Sequence, residues 1–435
     1  MTKRTDAVII GAGVIGAAIA FELTKRGYKT LNIDKLPSAG YGPTSNSCAI
    51  VRAHYSSREG VGMAYEGFYY WQDWERYLGV TDDQGLSKYV QCGTVLLKSS
   101  TGHDKKVLEH YRELGVQFEE WDVRTLKEKI PVYDTHAYWP PKRPDDPHFW
   151  DEPERELEGA IFTPGSGYVS DPQLATHNLQ RAAEAHGGEF MFRAEVGEIR
   201  RENGRVKGVT LTHGLEIDAP IVVNVAGPHS FVINRMAGAE EGMKVKTRPL
   251  RHEVHHVPSP PDFDFEHHGY HTSDGDTGIY FRPESGNNIL IGSEDPDCDP
   301  KLWVEDPDKF ERGITEKQWE AQVYRLARRM PSLRIPTERK GVVDLYDVSD
   351  DWIPIYDGSD VGGFYMAIGT SGNQFKNAPV VGHLMAELID KVEHGHDHDK
   401  DPVKVRCQYT GLELDAGFYS RLREINPNSS FSVNG

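Results

Sequence analysis

Residues 7–34 read AVIIGAGVIGAAIAFELTKRGYKTLNID, and this stretch decides the fold. Ala7 to Ile10 is a short, wholly apolar run of the kind a buried parallel strand requires. Gly11 to Gly16 then forms a turn, Ala17 to Arg26 has helical character, and Thr30 to Ile33 supplies a second apolar strand, so one complete βαβ unit is predicted. Each glycine has a separate task. Gly11 permits the tight turn, Gly13 lets a pyrophosphate approach the backbone, and Gly16 lets helix and strand pack closely; Val14 and Ile15, within the same turn, are counted with them as cofactor-binding residues. The N-terminus of that helix attracts the anion. Asp34 closes the second strand, where a carboxylate accepts hydrogen bonds from a ribose 2′-OH, which disfavours a 2′-phosphorylated dinucleotide. No second fingerprint follows, so one dinucleotide is expected.

The rest of the chain sets bounds on that reading. Its 435 residues allow two or three domains at roughly 100 to 200 residues each. Lys and Arg number 49 against 67 Asp and Glu, giving a formal charge of -18 that repels nucleic acid and anionic lipid surfaces. With 38% hydrophobic and 10% aromatic residues, the chain is globular despite a mean hydropathy of -0.58. Cys48, Cys92, Cys298 and Cys407 lie far apart and form no C-x-x-C, which fits a reducing, cytoplasmic setting with neither zinc cage nor disulfide framework. The uncharged run Ala7 to Phe21 mimics a signal peptide, but its glycine spacing and the continuation through Glu22, Lys25 and Arg26 identify a strand-turn-helix. No later segment is long enough to span a bilayer.

Downstream, the proline-rich stretch Tyr133 to Pro153 reads as a surface loop and Leu174 to His186 as a helix. Phe190 to Arg193, Gly208 to Leu211 and Ile221 to Val225 read as strands, the last ending at Ala226-Gly227. Strands dominate from about Met243 to Gly292, and a helix over Trp319 to Arg329 closes at Pro331. Gly363 to Ile368 is a strand, Gly369 to Gly372 a turn and Ala378 to Val392 a helix with Pro379 in its first turn. There is no internal repeat. The run from His394 to Asp399 reads as a solvated linker rather than a metal site, and no metal is expected.

Five separated segments resemble the D-amino-acid oxidase and sarcosine oxidase superfamily of FAD-dependent enzymes. They are Val8 to Gly16, Thr44 to Tyr55, Gly165 to Val169, Val222 to Pro228 and Gly369 to Lys376. The second, TSNSCAIVRAHY, is similar to the flavin-covering loop of the β subunit of heterotetrameric sarcosine oxidases; the last is similar to the family's Ser-Gly-His-Gly-Phe-Lys segment, with Asn373 and Gln374 replacing His and Gly. The resemblance implies an α/β plus α+β architecture: a Rossmann-like FAD-binding domain interleaved with a substrate domain on a mostly antiparallel sheet. The FAD domain would comprise residues 1–88, 157–238 and 341–435, and the substrate domain residues 89–156 and 239–340.

The resemblance also assigns roles. Gly11, Gly13, Gly16, Asp34 and Lys35 would serve the adenosine half, and Val196 would meet adenine. Thr44, Ser45, Asn46 and Ser47 would lie over the cofactor, with Ala226 and Gly227 beside it. Gly369, Gly372, Asn373, Gln374, Phe375 and Lys376 would lie toward the isoalloxazine, where the helix dipole favours the anionic reduced flavin. Arg52 and Lys376 would hold a substrate carboxylate, and Tyr280 would be a pocket tyrosine. Glu294, in place of a family histidine, could pair with a cationic amine. Family positions for covalent flavin linkage carry Asp344 and Asn46, implying non-covalent FAD unless Cys48 is recruited; Leu290 replaces an oxygen-activating lysine.

The implied activity is oxidation of the C–N bond of a secondary or N-methylated amino acid, with hydride passing to flavin N5 and the imine then hydrolysing. A deprotonated amine can deliver that hydride without a strong protein base. The electron acceptor would be oxygen, a quinone or an electron-transfer protein. Alternatives are a 2-hydroxy-acid or D-amino-acid dehydrogenase, for which His252, His255, His256 and His271 offer bases, and a catalytically silent FAD-binding subunit. Both a homo-oligomer and a heteromeric complex remain open.

Overall fold

The computed structural model describes residues 3–435. Ala7–Ile10 is fully buried at the centre of a six-stranded sheet, as its uninterrupted apolar run requires. In sheet order the strands are Glu189–Phe192, Thr30–Asp34, Ala7–Ile10, Ile221–Asn224, Phe364–Ile368 and Ile355–Asp357. All neighbours run parallel except the last pair. The first helix, Val14–Lys25, begins earlier than the sequence suggested, placing Gly16 inside its first turn. It is buried from Val14 to Thr24 because it packs between the sheet and the helices Pro172–Ala185 and Ala378–Glu393. That enclosure explains the uncharged run that imitates a signal peptide. Among the described residues, no helix is long and apolar enough to cross a membrane.

A nine-stranded, mostly antiparallel sheet forms the second layer system. Its centre is the succession Thr247–Pro258, Asn288–Ser293, Ile279–Glu284, His271–Asp274 and Thr94–Leu97, of which only the last pair runs parallel. Ala160–Thr163 and Lys340–Ser349 also hydrogen-bond into this sheet, although they lie beyond the expected limits 89–156 and 239–340. Lys340–Ser349 runs antiparallel along nearly the whole of Thr247–Pro258, and the chain then enters the parallel sheet at Ile355–Asp357. One face of the antiparallel sheet packs Ile279, Phe281, Ile289 and Ile291 against the helix Glu316–Arg329 through Trp319, Val323 and Leu326. The alternate residues, Tyr280 and Gly292, face the parallel-sheet domain.

The proline-rich stretch Tyr133 to Pro153 has no regular helix or strand, as expected, yet it is anchored. Arg329 Nε donates to Asp274 Oδ2 at 2.8 Å and its Nη2 to Asp276 Oδ2 at 3.1 Å, while Nη1 donates to His136 O at 3.0 Å. All three charged side chains are buried. The histidine-rich run is also more structural than a solvated linker: His398 is buried, with Nδ1 accepting the Val403 N–H at 3.0 Å.

Arg329 ties this loop and the helix to the strand that carries Ser273 and Asp274. Removing the cation strands two buried carboxylates, a change that costs about 3–5 kcal/mol. Arg329→Leu is therefore expected to lower the urea midpoint markedly. An unchanged midpoint refutes this account of the anchor.

Candidate functional site

A single cavity of about 790 Å³ runs from the glycine turn to the face of the antiparallel sheet. At its first end, Gly11 has φ +120°, and a Cβ there would lie 2.4 Å from the Val225 carbonyl oxygen. A side chain at Gly16 would similarly meet Gly11 O at 2.4 Å, so strand, turn and helix close only around glycine. The helix Val14–Lys25 has no side-chain cap at Gly13, and its first turn lines the cavity. Thr44 Oγ1 takes the Val14 N–H at 3.3 Å, and the remaining main-chain N–H groups of that turn are left to suit an anion. Asp34 accepts the Ala12 N–H at 2.7 Å and the Leu36 N–H at 2.9 Å, which fixes its carboxylate while leaving lone pairs for a ligand hydroxyl. Val14, Ile15, Val196, Ala226 and Gly227 complete this end. Lys35 lines it too, with its ammonium 2.6 Å from Asp308.

Thr44, Ser45, Asn46 and Ser47 form the middle wall. Asn46 Nδ2 donates to Asp344 Oδ2 at 2.6 Å, so the two residues that the resemblance places at linkage positions are paired with each other. Cys48 is buried and lies 3.8 Å from Tyr280 Oη; desolvation raises its pKa and keeps it a thiol.

The turn before the last long helix is held from outside. Trp71 stacks on Phe375 with ring centroids 5.4 Å apart, and its Nε1 donates to Lys376 O at 2.8 Å. Gln374 Oε1 accepts from Tyr356 Oη at 2.9 Å and from Asn377 Nδ2 at 2.7 Å. Gly372, Asn373, Gln374, Phe375 and Lys376 reach the cavity wall. Gly369 does not: its N–H donates to Asp347 Oδ2 at 2.7 Å, which commits it to supporting the turn.

The far end of the cavity gathers charge without neutralising it. Arg52 is 6% exposed and Lys376 3% exposed, and both cations lie 4.9 Å from the Tyr55 ring. Arg52 donates to His54 O and, at 2.6 Å, to Val433 O; Lys376 Nζ donates to Asn373 O at 2.7 Å. Neither forms an ion pair among the described residues. Burial, and then the charge of Arg52, pull the Lys376 pKa well below the usual lysine range. Glu294, 8% exposed, also has no cationic partner and takes the Ser273 hydroxyl on Oε1. Desolvation raises its pKa to about 7, although Ser273 and Arg52 work in the opposite direction. Tyr280 lies flat across Gly292, where a Cβ would come within 2.1 Å of Tyr280 Cζ.

All four predicted substrate residues, Arg52, Lys376, Tyr280 and Glu294, thus line one cavity. Leu290 lies outside its lining, opposite Arg282 on the sheet. Sequence reasoning did not single out Tyr55, Ser273, Tyr346, Val433 or Asn434, which only the tertiary fold brings here. Tyr346 stacks on His252 with centroids 4.0 Å apart and lies 3.5 Å from Tyr280 Oη.

The family model for FAD-dependent oxidoreductases, DAO, matches residues 6–388. FAD-dependent oxidoreductase domain-containing protein 1 of Xenopus laevis is 26% identical over 89% of this chain and 79% of its own. Glycine oxidase of Geobacillus kaustophilus is 25% identical over 91% of this chain and 96% of its own. The crystal structure of L-proline dehydrogenase from P. horikoshii superimposes with a TM-score of 0.74 over 97% of this chain and 98% of its own, at 21% identity.

The glycine cradle, the uncapped helix start and Asp34 fit the pyrophosphate and ribose of FAD, and the cavity continues into a second compartment that can take a ring system and a small substrate. Gly11→Ala forces a side chain onto Val225 O, so the variant should purify folded but colourless. Normal flavin content with native circular dichroism refutes the cradle.

Proposed function

The chain belongs to the FAD-dependent oxidoreductase family, and from that premise we propose that it oxidises the C–N bond of a secondary or N-methylated amino acid. The observation that supports this reading is a cavity that brings together two buried basic groups, Arg52 and Lys376, and one buried acidic group, Glu294, none of them in an ion pair among the described residues. A buried charge without a partner is costly, so these groups are complementary to a ligand bearing the opposite charges. A carboxylate for the cations and an ammonium for Glu294 describe an amino acid zwitterion. Glycine oxidase, among the relatives, is named for one.

Bound FAD supplies the acceptor for hydride from the substrate carbon. The chain's own part is to orient and to manage protons. Arg52 and Lys376 fix the carboxylate, and the Tyr55 ring lies against both cations. Glu294 receives the ammonium and takes its proton, which frees the nitrogen lone pair whose electrons drive hydride departure and form the imine. Water then hydrolyses the imine. A 2-hydroxy acid is the second reading, favoured by the unpartnered Nε2 of buried, cavity-lining His271. Glu294 would then have no cation to meet, and flavin bleaching by hydroxy acids but not amines would establish it.

Three outcomes test the proposal. Acid precipitation should release all the flavin, because Asn46 and Asp344 are bound to each other and Cys48 is a buried thiol; a yellow pellet contradicts this. Arg52→Met and Lys376→Met each remove a charge-assisted hydrogen bond worth about 1.5–3 kcal/mol, so kcat/KM on an amino acid should fall roughly tenfold to a hundredfold. An amine lacking the carboxylate should lose little, and equal losses on both would show that the cations serve the flavin or the fold. Finally, Glu294 is charged only above about pH 7, since its pKa is raised. kcat/KM for an ammonium substrate should rise with pH through that value, and Glu294→Gln should abolish the rising limb.

A further inference from the structure

Asn434 enters the substrate end of the cavity on a segment without helix or strand, yet its backbone is fixed on both sides. Ser429 Oγ donates to Asp351 O at 2.5 Å, and Val433 packs against Leu250, Val348 and Trp352. Val433 O takes the Arg52 guanidinium, and Asn434 O accepts the Ser56 N–H at 3.1 Å. These contacts leave the Asn434 side chain committed to the cavity wall. It is 8% exposed, it lies against the Glu294 carboxyl, and its Oδ1 has no hydrogen-bond partner among the described residues. A buried carboxamide oxygen is normally satisfied, so one held unmatched beside an unpaired carboxylate faces a donor that arrives with the substrate.

We propose that Asn434 is a specificity-determining residue, accepting one N–H of the substrate ammonium while Glu294 accepts another. This rests on the amino-acid reading above and deepens it. The Glu294 carboxyl already takes the Ser273 hydroxyl on Oε1 and an N–H of the Asn434 amide, which leaves it lone pairs for one substrate N–H, and Asn434 Oδ1 takes the second. The Tyr280 and Tyr346 hydroxyls face each other at 3.5 Å. A secondary ammonium has two N–H groups and matches both acceptors. A tertiary ammonium has one and strands the Asn434 oxygen; a primary ammonium has three and strands a donor. Sites built to hydrogen-bond a substrate group discriminate strongly against analogues that lack it. An amide suits this position because it accepts without placing a second negative charge beside Glu294.

The test compares an N-methyl amino acid with its N,N-dimethyl counterpart, following flavin reduction and steady-state kcat and KM in the holoenzyme. The native protein should prefer the N-methyl substrate. Asn434→Ala should lower kcat/KM roughly tenfold or more on that substrate and change the dimethyl analogue less than about threefold, so the preference collapses. Asn434→Thr keeps a neutral acceptor and should keep part of the preference; it carries the comparison if the alanine variant fails to retain flavin. Equal losses on both substrates, or none on either, overturn the role of Asn434 and leave the amino-acid reading intact. A native protein whose flavin is bleached by neither amine refutes the amino-acid reading and this inference with it.

Discussion

The mutual exposure of Arg52, Lys376 and Glu294 to one cavity is the constraint on which the rest of the site depends. Each is at least nine-tenths buried, and none is neutralised within the described residues. Such an arrangement survives only when the surrounding fold over-determines it. Main-chain carbonyls of His54, Val433 and Asn373 each take one donor of these basic groups without forming an ion pair, and the Tyr55 ring is placed against both. The remaining donors stay free for a ligand. Had a carboxylate taken the place of any of these carbonyls, the cations would be more stable and the cavity electrically silent.

The architecture supplies that over-determination by bringing rigid elements to the cavity from different sheets. Arg52 follows the short strand Ile50–Val51, Lys376 precedes the helix Ala378–Glu393, and Glu294 immediately follows the strand Asn288–Ser293. The buried Arg329 network clamps the antiparallel sheet from its far side, while Trp71 clamps the Lys376 turn. Lys340–Ser349 reinforces the junction by pairing along Thr247–Pro258 before the chain re-enters the parallel sheet. Because the two sheets share this cavity between them, the cofactor compartment and the substrate compartment are continuous.

How much of this was legible in the sequence follows from the range of the interactions. The βαβ unit is local: residues 7–34 contain the strand period, the glycine spacing and the terminal acid, and they fold as read apart from the earlier helix start at Val14. Arg52 and Lys376 were reached through motif resemblance, and their convergence needed the three-dimensional structure. The pairing of Asn46 with Asp344 and the approach of Asn434 to Glu294 join distant segments, and no periodicity marks them. Gly369 was expected at the ligand through the motif resemblance, but the tight turn gives its N–H to Asp347. The strands Ala160–Thr163 and Lys340–Ser349 escaped the expected boundaries because strand patterns do not record which sheet receives them.

The amine end carries a further consequence of burial. The side chains that hydrogen-bond Glu294 are the Ser273 hydroxyl and the Asn434 carboxamide, both uncharged; Asp274 adds negative charge nearby, and Arg52 forms no ion pair with it among the described residues. Neutral donors can orient a carboxylate but do not hold its pKa down as an adjacent ammonium or guanidinium does, so desolvation prevails and brings the group to about 7. A carboxyl poised there can accept a proton from an ammonium at neutral pH and release it again afterwards, which a salt-bridged carboxylate with a depressed pKa does poorly. The absence of a cationic partner for Glu294 among the described residues therefore joins recognition to proton transfer, because the same vacancy that selects a positively charged nitrogen keeps the acceptor's basicity near the working pH.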